Sequence, residues 1–325
     1  MTKKHNRTAF SLIELSVVIL VIGLIVAGIS QAGRLVAKSA LTSARAMTKN
    51  SPAALAEGMT LWLETTLEES FPAAVANDGI AVTQWNNINP TDTQALLYNA
   101  SEVTNPPLYV LKAQNGLPAV RFDGANDILT IGGAASSGTG SVLGSANSSY
   151  TVFVVFNRTG ITGANQVLIG SANTTGAAQN TFAVGTAGTN MTTLVNRWNV
   201  DAVGTNNAIG TLGAAIAGTN YTIASFVYDN TIASAGAPTI ASRTIFVNGS
   251  TATLTYGIGG ALANRASPSA PVVIGAQILT SPTNTETAFL NGNISEIITY
   301  NRPLKTAERR EIEAYLGKKW KIKVS

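Results

Sequence analysis

Twenty residues, Phe10 to Ile29, carry one charge, Glu14, and are otherwise dominated by apolar side chains. As a helix rising about 1.5 Å per residue they reach roughly the 30 Å of a bilayer hydrocarbon core. Whatever else the chain builds, it has to place this rod in a membrane or among other apolar surfaces. Before it lies a polar stretch, Met1 to Ala9, holding Lys3, Lys4, His5 and Arg7. An acidic side chain in such a helix costs roughly 2.5–3.5 kcal/mol near the bilayer centre and less towards an end, so Glu14 is expected to have a function. Counting positive charges does not fix orientation, because Lys3, Lys4 and Arg7 on one side face Arg34, Lys38, Arg45 and Lys49 on the other.

The residues from Ala9 to Leu15, Ala-Phe-Ser-Leu-Ile-Glu-Leu, resemble the cleavage and methylation motif of type IV prepilins and type II secretion pseudopilins. In that family a small residue precedes the cut, a Phe follows it and becomes N-methylated, and a Glu sits five residues into the mature chain. Ala9, Phe10 and Glu14 hold those places, with Ala9 standing where Gly is usual. The resemblance covers about the first 40 residues. It implies a leader over 1–9, prepilin peptidase and other pilin subunits as partners, an inner-membrane precursor with its leader in the cytoplasm, and a later place in a surface or periplasm-spanning filament. It also implies that Glu14 meets the new amino group of Phe10 on a neighbouring subunit. The competing reading is an ordinary secretory signal cut before Gly33; it gives Glu14 no use, and the helical pattern continues past Gly33.

Val36, Ala40, Ala44 and Met47 recur at helical spacing beyond the apolar run, so one helix is expected over 10–50. No Pro interrupts it. Ser51-Pro52 reads as the stop of that helix and the cap of a new one, which places the boundary of the large domain, 51–325, there.

In that domain apolar runs alternate with Gly, Asn, Asp, Ser and Pro, the mark of many short strands. Val152 to Phe156, Tyr221 to Tyr228, Thr244 to Val247 and Val272 to Ile274 are the clearest, and Asn248-Gly249 is a hairpin turn. With no helices between the strands, an antiparallel sandwich or jelly roll is expected. Four stretches resemble concanavalin A-like or laminin G-like (LamG) domains. They are Leu61 to Leu63 with Val82 to Asn86, Asn115 to Gly124, Thr151 to Phe156, and Asn291 to Leu304. The charged stretch Lys305 to Leu316 suits a helix with Thr306 near its N-cap and Ile312, Tyr315 and Leu316 on one face, ended by Gly317; it resembles the closing helix of such domains, with its Lys and Arg residues on a solvated face.

Chemistry is sparse. Charged residues are 12% of the chain and the net charge is +4, with no basic aromatic face in the body to read nucleic acid. Without cysteine there is no thiol catalysis, and the single histidine, His5, lies in the leader. Some sandwiches of this class hydrolyse glucans with a carboxylate pair, yet Asp123, Asp127, Asp229 and Glu296 stand isolated along the chain. Glu296 is expected in a buried salt bridge or strand-end hydrogen bond. Trp85, Tyr109 and Trp198 could stack on a sugar, against the alternative of core packing; Asp123 and Asp127 could offer oxygens to calcium, against a plain turn. No other cofactor is expected. The expectation is a non-enzymatic filament subunit displaying a lectin-like sandwich to a glycan or protein surface. Its rivals are a minor pseudopilin and a membrane-held glycan hydrolase.

Overall fold

A computed structural model describes residues 11–72, 77–91, 98–132, 142, 148–160, 165–173, 179–187, 193–197, 207–211, 220–232, 243–257, 272–279 and 285–325. Helix α1 runs from Leu12 to Lys49 without a break, a rod of about 57 Å. The Glu14 carboxylate accepts the Ser11 amide at 2.9 Å and the Ser11 hydroxyl accepts the Ile13 amide at 3.3 Å, so the pair caps amides that a helix start leaves open. From Leu12 to Ile29 the mean hydropathy is 2.8 and none of the segment is buried; it is long and apolar enough to cross a membrane.

The strands are β1 (Met59–Glu64), β2 (Gln84–Trp85), β3 (Ala100–Ser101), β4 (Leu108–Gln114), β5 (Leu117–Asp123), β6 (Leu129–Ile131), β7 (Tyr150–Arg158), β8 (Asn165–Asn173), β9 (Gln179–Ala187) and β10 (Thr193–Arg197). They continue as β11 (Asn207–Thr211), β12 (Thr222–Tyr228), β13 (Arg243–Val247), β14 (Ser250–Thr251), β15 (Thr253–Gly257), β16 (Val273–Ile274), β17 (Gln277–Leu279), β18 (Thr285–Thr287) and β19 (Asn291–Tyr300), and the chain closes with helix α2 (Thr306–Trp320). One sheet has the order β14-β13-β12-β7-β19-β5-β4, with β1 also paired on β19. The other has the order β15-β11-β10-β9-β8-β16-β6-β3-β2, and β17 and β18 form a separate ribbon. Pairing among the described residues is antiparallel throughout.

The two sheets face each other across one apolar core, and the outer face of the first is covered by α2, the end of α1 and a short 3-10 turn, Pro52–Leu55, that Ser51 caps through the Ala53 amide. Strand β7 serves both layers: Tyr150, Val152, Val154 and Phe156 enter the core between the sheets, Phe153 and Val155 the one under the helices. That double burial is why Val152 to Phe156 reads as an unbroken apolar run rather than an alternating one. In β19 a bulge at Ser295 shifts the register, since Ile294 opposes Phe156 while Glu296 opposes Val155. Beyond it Ile297 enters the inter-sheet core while Ile298 and Tyr300 turn to the helices. An extra residue of this kind re-aims the side chains after it; here it aims Glu296 at the helical layer. Asn248 and Gly249, at φ 49° and 84°, turn β13 into β14 as the sequence requires.

Two expectations are corrected. Helix α2 passes through Gly317 and ends at Trp320, with Lys321 left-handed at φ 51°. Gly317 serves close approach instead, because a Cβ there would lie 2.6 Å from Val324 Cγ2 and 2.8 Å from the Ile322 carbonyl. The basic residues of α2 are not all solvated: Lys319 and Arg309 are buried. Arg309 pairs with Glu313, stacks 3.5 Å over the Phe246 ring, and Glu313 takes the Ser225 hydroxyl at 2.6 Å. The end of α1 packs on the sandwich, where Ala44 and Thr48 are buried and Leu41 and Met47 pack in the same cluster as Ala44.

Candidate functional site

Where α1 meets the sandwich, β1 and β19 lie side by side and place Glu64 directly opposite Glu296. Two carboxylates in that relation repel. Lys319 of α2 reaches between them, its Nζ 2.8 Å from Glu64 Oε2, 2.9 Å from Glu296 Oε2 and 2.8 Å from the Thr48 hydroxyl of α1. The side chains of Lys319, Glu64 and Glu296 are 0% exposed.

The remaining lone pairs are occupied. Glu296 accepts the indole N–H groups of Trp62 at 2.9 Å and Trp320 at 2.8 Å and the Tyr315 hydroxyl at 2.8 Å. Glu64 accepts the amides of Thr66 and Leu67 and the hydroxyls of Thr66 and Ser70, at 2.9, 2.6, 2.5 and 2.6 Å. Burial pushes the Glu64 carboxyl up, but Lys319 and these donors outweigh it and hold the group below its usual range. Burial pulls Lys319 down, and the two carboxylates more than reverse that. Tyr315 is pushed well above the usual phenol value by burial and by the Glu296 charge. This is a closed ionic clamp joining α1, β1, β19 and α2. Arg45 of α1 adds a contact at its edge, donating to the Thr66 carbonyl at 2.8 Å and pairing with Glu68 at 2.5 Å.

The expected buried salt bridge at Glu296 is present. Glu64 and Lys319 were not singled out from the sequence, and the carboxylate pair was missed because its members lie at opposite ends of the domain. A signal existed: Glu64 is a lone charge closing the apolar strand Leu61-Trp62-Leu63, and Lys319 adjoins Trp320 and sits one helical turn after Tyr315.

Two of the three aromatic candidates come together around Phe71. Trp85 is fully buried, stacks on Phe71 at 5.9 Å and donates its indole N–H to the Glu64 carbonyl at 2.8 Å, so it supports the core and offers no ring face to a sugar. Tyr109 meets Phe71 edge-on at 5.2 Å, and burial, with the Glu64 charge, pushes its hydroxyl up to about 12. Tyr109 does border an opening, a cleft of about 470 Å³ whose apolar wall is Leu67, Phe71 and Pro72 and whose polar rim is Arg45 and Glu68. That volume suits a small ligand. Trp198 lies outside the described residues, as do Ala9 and Phe10.

Asp123 and Asp127 meet across a turn whose own amides use them. Asp123 Oδ1 accepts the amides of Ala125 at 2.8 Å and Asn126 at 3.2 Å, and Asp127 Oδ2 accepts the Asp123 amide at 2.8 Å. Burial raises Asp127 to about 6. Calcium needs six to eight oxygens, and no group of three or more acidic or imidazole side chains gathers among the described residues. The bonds that these two carboxylates make are those of a turn.

No protein-family model matches the sequence, and no curated protein matches it either. Solved structures are similar at low identity. A Trypanosoma rangeli sialidase in complex with sialic acid is 10% identical with a TM-score of 0.49, over 83% of this chain and 34% of that one. A variant of NanB sialidase from Streptococcus pneumoniae is 16% identical with a TM-score of 0.43, over 59% and 26%. The binding domain of Paraclostridial Mosquitocidal Protein 1 is 13% identical with a TM-score of 0.45, over 80% and 52%. The chain thus spans about a third of the length of the Trypanosoma sialidase. These comparisons overturn the expectation that the chain is not an enzyme: similar structures include sialidases, and the exclusion of activity is withdrawn. At such identity and TM-scores the likeness assigns no activity of its own. The prepilin resemblance rests on the sequence alone, on the basic leader, residues 9–15 and the apolar run.

Proposed function

We propose that this chain is a type IV pilin-like subunit, held in a membrane by the first half of α1, processed between Ala9 and Phe10, and assembled into a filament that displays the sandwich. The observation that carries this reading is the contrast within α1. Its first part is an apolar surface with none of its residues buried, and its last turns are bound into the sandwich through Ala44, Thr48 and the Lys319 clamp. A rod fixed at one end to a folded domain and bare at the other needs an apolar surrounding, which a bilayer supplies before assembly and neighbouring copies supply after it. The clamp suits a subunit that carries load, because a pull along α1 passes into β1, β19 and α2 rather than into a loop. Recognition of a glycan or a surface protein by the displayed sandwich belongs to the same proposal, with the cleft beside Tyr109 as the place to test. Mass spectrometry of the mature N-terminus in sheared surface material is expected to find N-methylated Phe10. An intact Met1, or a terminus at Gly33, overturns the reading.

A further inference from the structure

At one end of the sandwich two buried polar side chains lack partners among the described residues. Arg158 closes β7 and is 2% exposed; its Nε donates to Gln166 Oε1 at 3.0 Å, while Nη1 and Nη2 meet no described acceptor. Thr222 opens β12 and is 1% exposed, and its hydroxyl has no described partner either. Thr222 stands directly opposite Phe156, whose ring lies in the inter-sheet core, and Arg158 comes two residues later on the same strand. Both side chains therefore face the space between the sheets. Diagonal neighbours across such a ladder are about 7–8 Å apart at Cα, within reach of an arginine.

The guanidinium is oriented from behind. Gln166, on β8 of the facing sheet, takes Arg158 Nε and the Asn291 amide on its Oε1 and donates its Nε2 to the Gly160 carbonyl at 2.9 Å. That fixes the Nε edge and leaves the two Nη groups as a free fork. Burial lowers Arg158 only to about 10, so it stays charged at neutral pH, and it forms no ion pair with any described carboxylate. A buried charge without a counter-charge is costly, and the remedy is an anion at the fork.

We propose that Arg158 and Thr222 form a binding site for a small carboxylate anion held between the two sheets. The two Nη groups match the two oxygens of a carboxylate, a planar pairing in which both hydrogen bonds are charge-assisted, and the Thr222 hydroxyl supplies a third donor. The site is separate from the Lys319 clamp, which lies on the opposite face of the same sheet, and it does not depend on the filament reading.

The test uses the full chain in non-ionic detergent micelles. Thermal unfolding is followed at constant ionic strength in sodium formate, sodium phosphate or sodium gluconate, the last a larger carboxylate that a site enclosed between the sheets would exclude. The expected result is a midpoint that rises and saturates with formate and stays flat with gluconate. Thr222→Val, which keeps the shape of the core, should weaken the apparent formate affinity at least fivefold, and Arg158→Met should abolish the response. Should Arg158→Met fail to fold, Thr222→Val decides. Equal midpoints in formate and gluconate, or an unchanged formate response in Thr222→Val, overturn the proposal and leave water as the partner of these groups. A response to phosphate with none to formate overturns the assignment to a carboxylate.

Discussion

Lys319 shows how one side chain can hold a junction and make it dependent on pH. Glu64 has a folded pKa below its ordinary 4.5, so its contribution is present above about pH 4.5 and is lost as pH falls through the folded value. Lys319 has a folded pKa above 10.5, so its contribution is present below that and lost as pH rises through the folded value. Stability from the clamp should therefore be level between about pH 4.5 and 10.5. Lys319→Met leaves two buried carboxylates facing each other and should cost about 3–5 kcal/mol at pH 7. Because those carboxylates then gain from protonation, the deficit should shrink on acidification, which urea titrations at pH 7 and pH 4.5 would reveal; a deficit independent of pH would refute the clamp. Asp127 carries the opposite sign. Its folded pKa near 6 exceeds the ordinary 3.8, so the charged form costs stability as pH rises through that window. Asp127→Asn should raise the unfolding midpoint by about 1–3 °C at pH 7.5 and leave it unchanged at pH 3.5. A lower midpoint at pH 7.5 would mean that the Asp127 contact to the Asp123 amide outweighs the cost of burying its charge.

Helix α1 is one element with two environments, and the last turns belong to the sandwich. Ala44 and Thr48 are buried, Leu41 and Met47 pack in the same cluster, and Arg45 bonds to the Thr66 carbonyl. A chain starting at Ser51 loses these contacts and removes one acceptor from Lys319, whereas one starting at Val36 keeps them. Both lack the apolar run from Leu12 to Ile29 and are expected to be soluble. The longer should unfold at a higher temperature, by on the order of 5–10 °C, in line with a few kcal/mol of lost packing and hydrogen bonding. Equal midpoints in scanning calorimetry would show that the end of α1 adds nothing to the domain.

Across the whole molecule, Glu14 stands at the far end of α1 from the clamp and has two possible uses. Its carboxylate already caps the helix through the Ser11 amide, so a charge there is not wholly without a partner inside its own chain. Replacement separates capping from charge. Gln can still accept the Ser11 amide but carries no charge, while Val does neither and lowers the insertion cost. If Glu14 meets a cationic amino group on a neighbouring copy, Glu14→Gln and Glu14→Val should both reach the membrane fraction and both be depleted from sheared filaments, measured by immunoblot. Normal filament recovery from Glu14→Gln with loss in Glu14→Val would assign Glu14 to capping alone.

The sequence by itself determined the features that depend on local order: the apolar run, its single acid, the unbroken helix, the antiparallel strands and the Asn248-Gly249 turn arise from short-range patterns of hydrophobicity and permitted φ. For Glu296 it offered a structural role, a buried salt bridge or a strand-end hydrogen bond, through the resemblance of its stretch to the sandwich family. Tertiary structure decided the rest. Glu64, Glu296 and Lys319 meet only because β1 and β19 are neighbours, and because a bulge at Ser295 turns Glu296 to the helical side. Trp85 proved to be core and Tyr109 a cleft wall because a ring's exposure depends on what packs over it, and Phe71 packs on both. Gly317, which reads as a helix stop, lies inside α2 because the tail at Ile322 and Val324 folds back against it, a contact that no local pattern encodes.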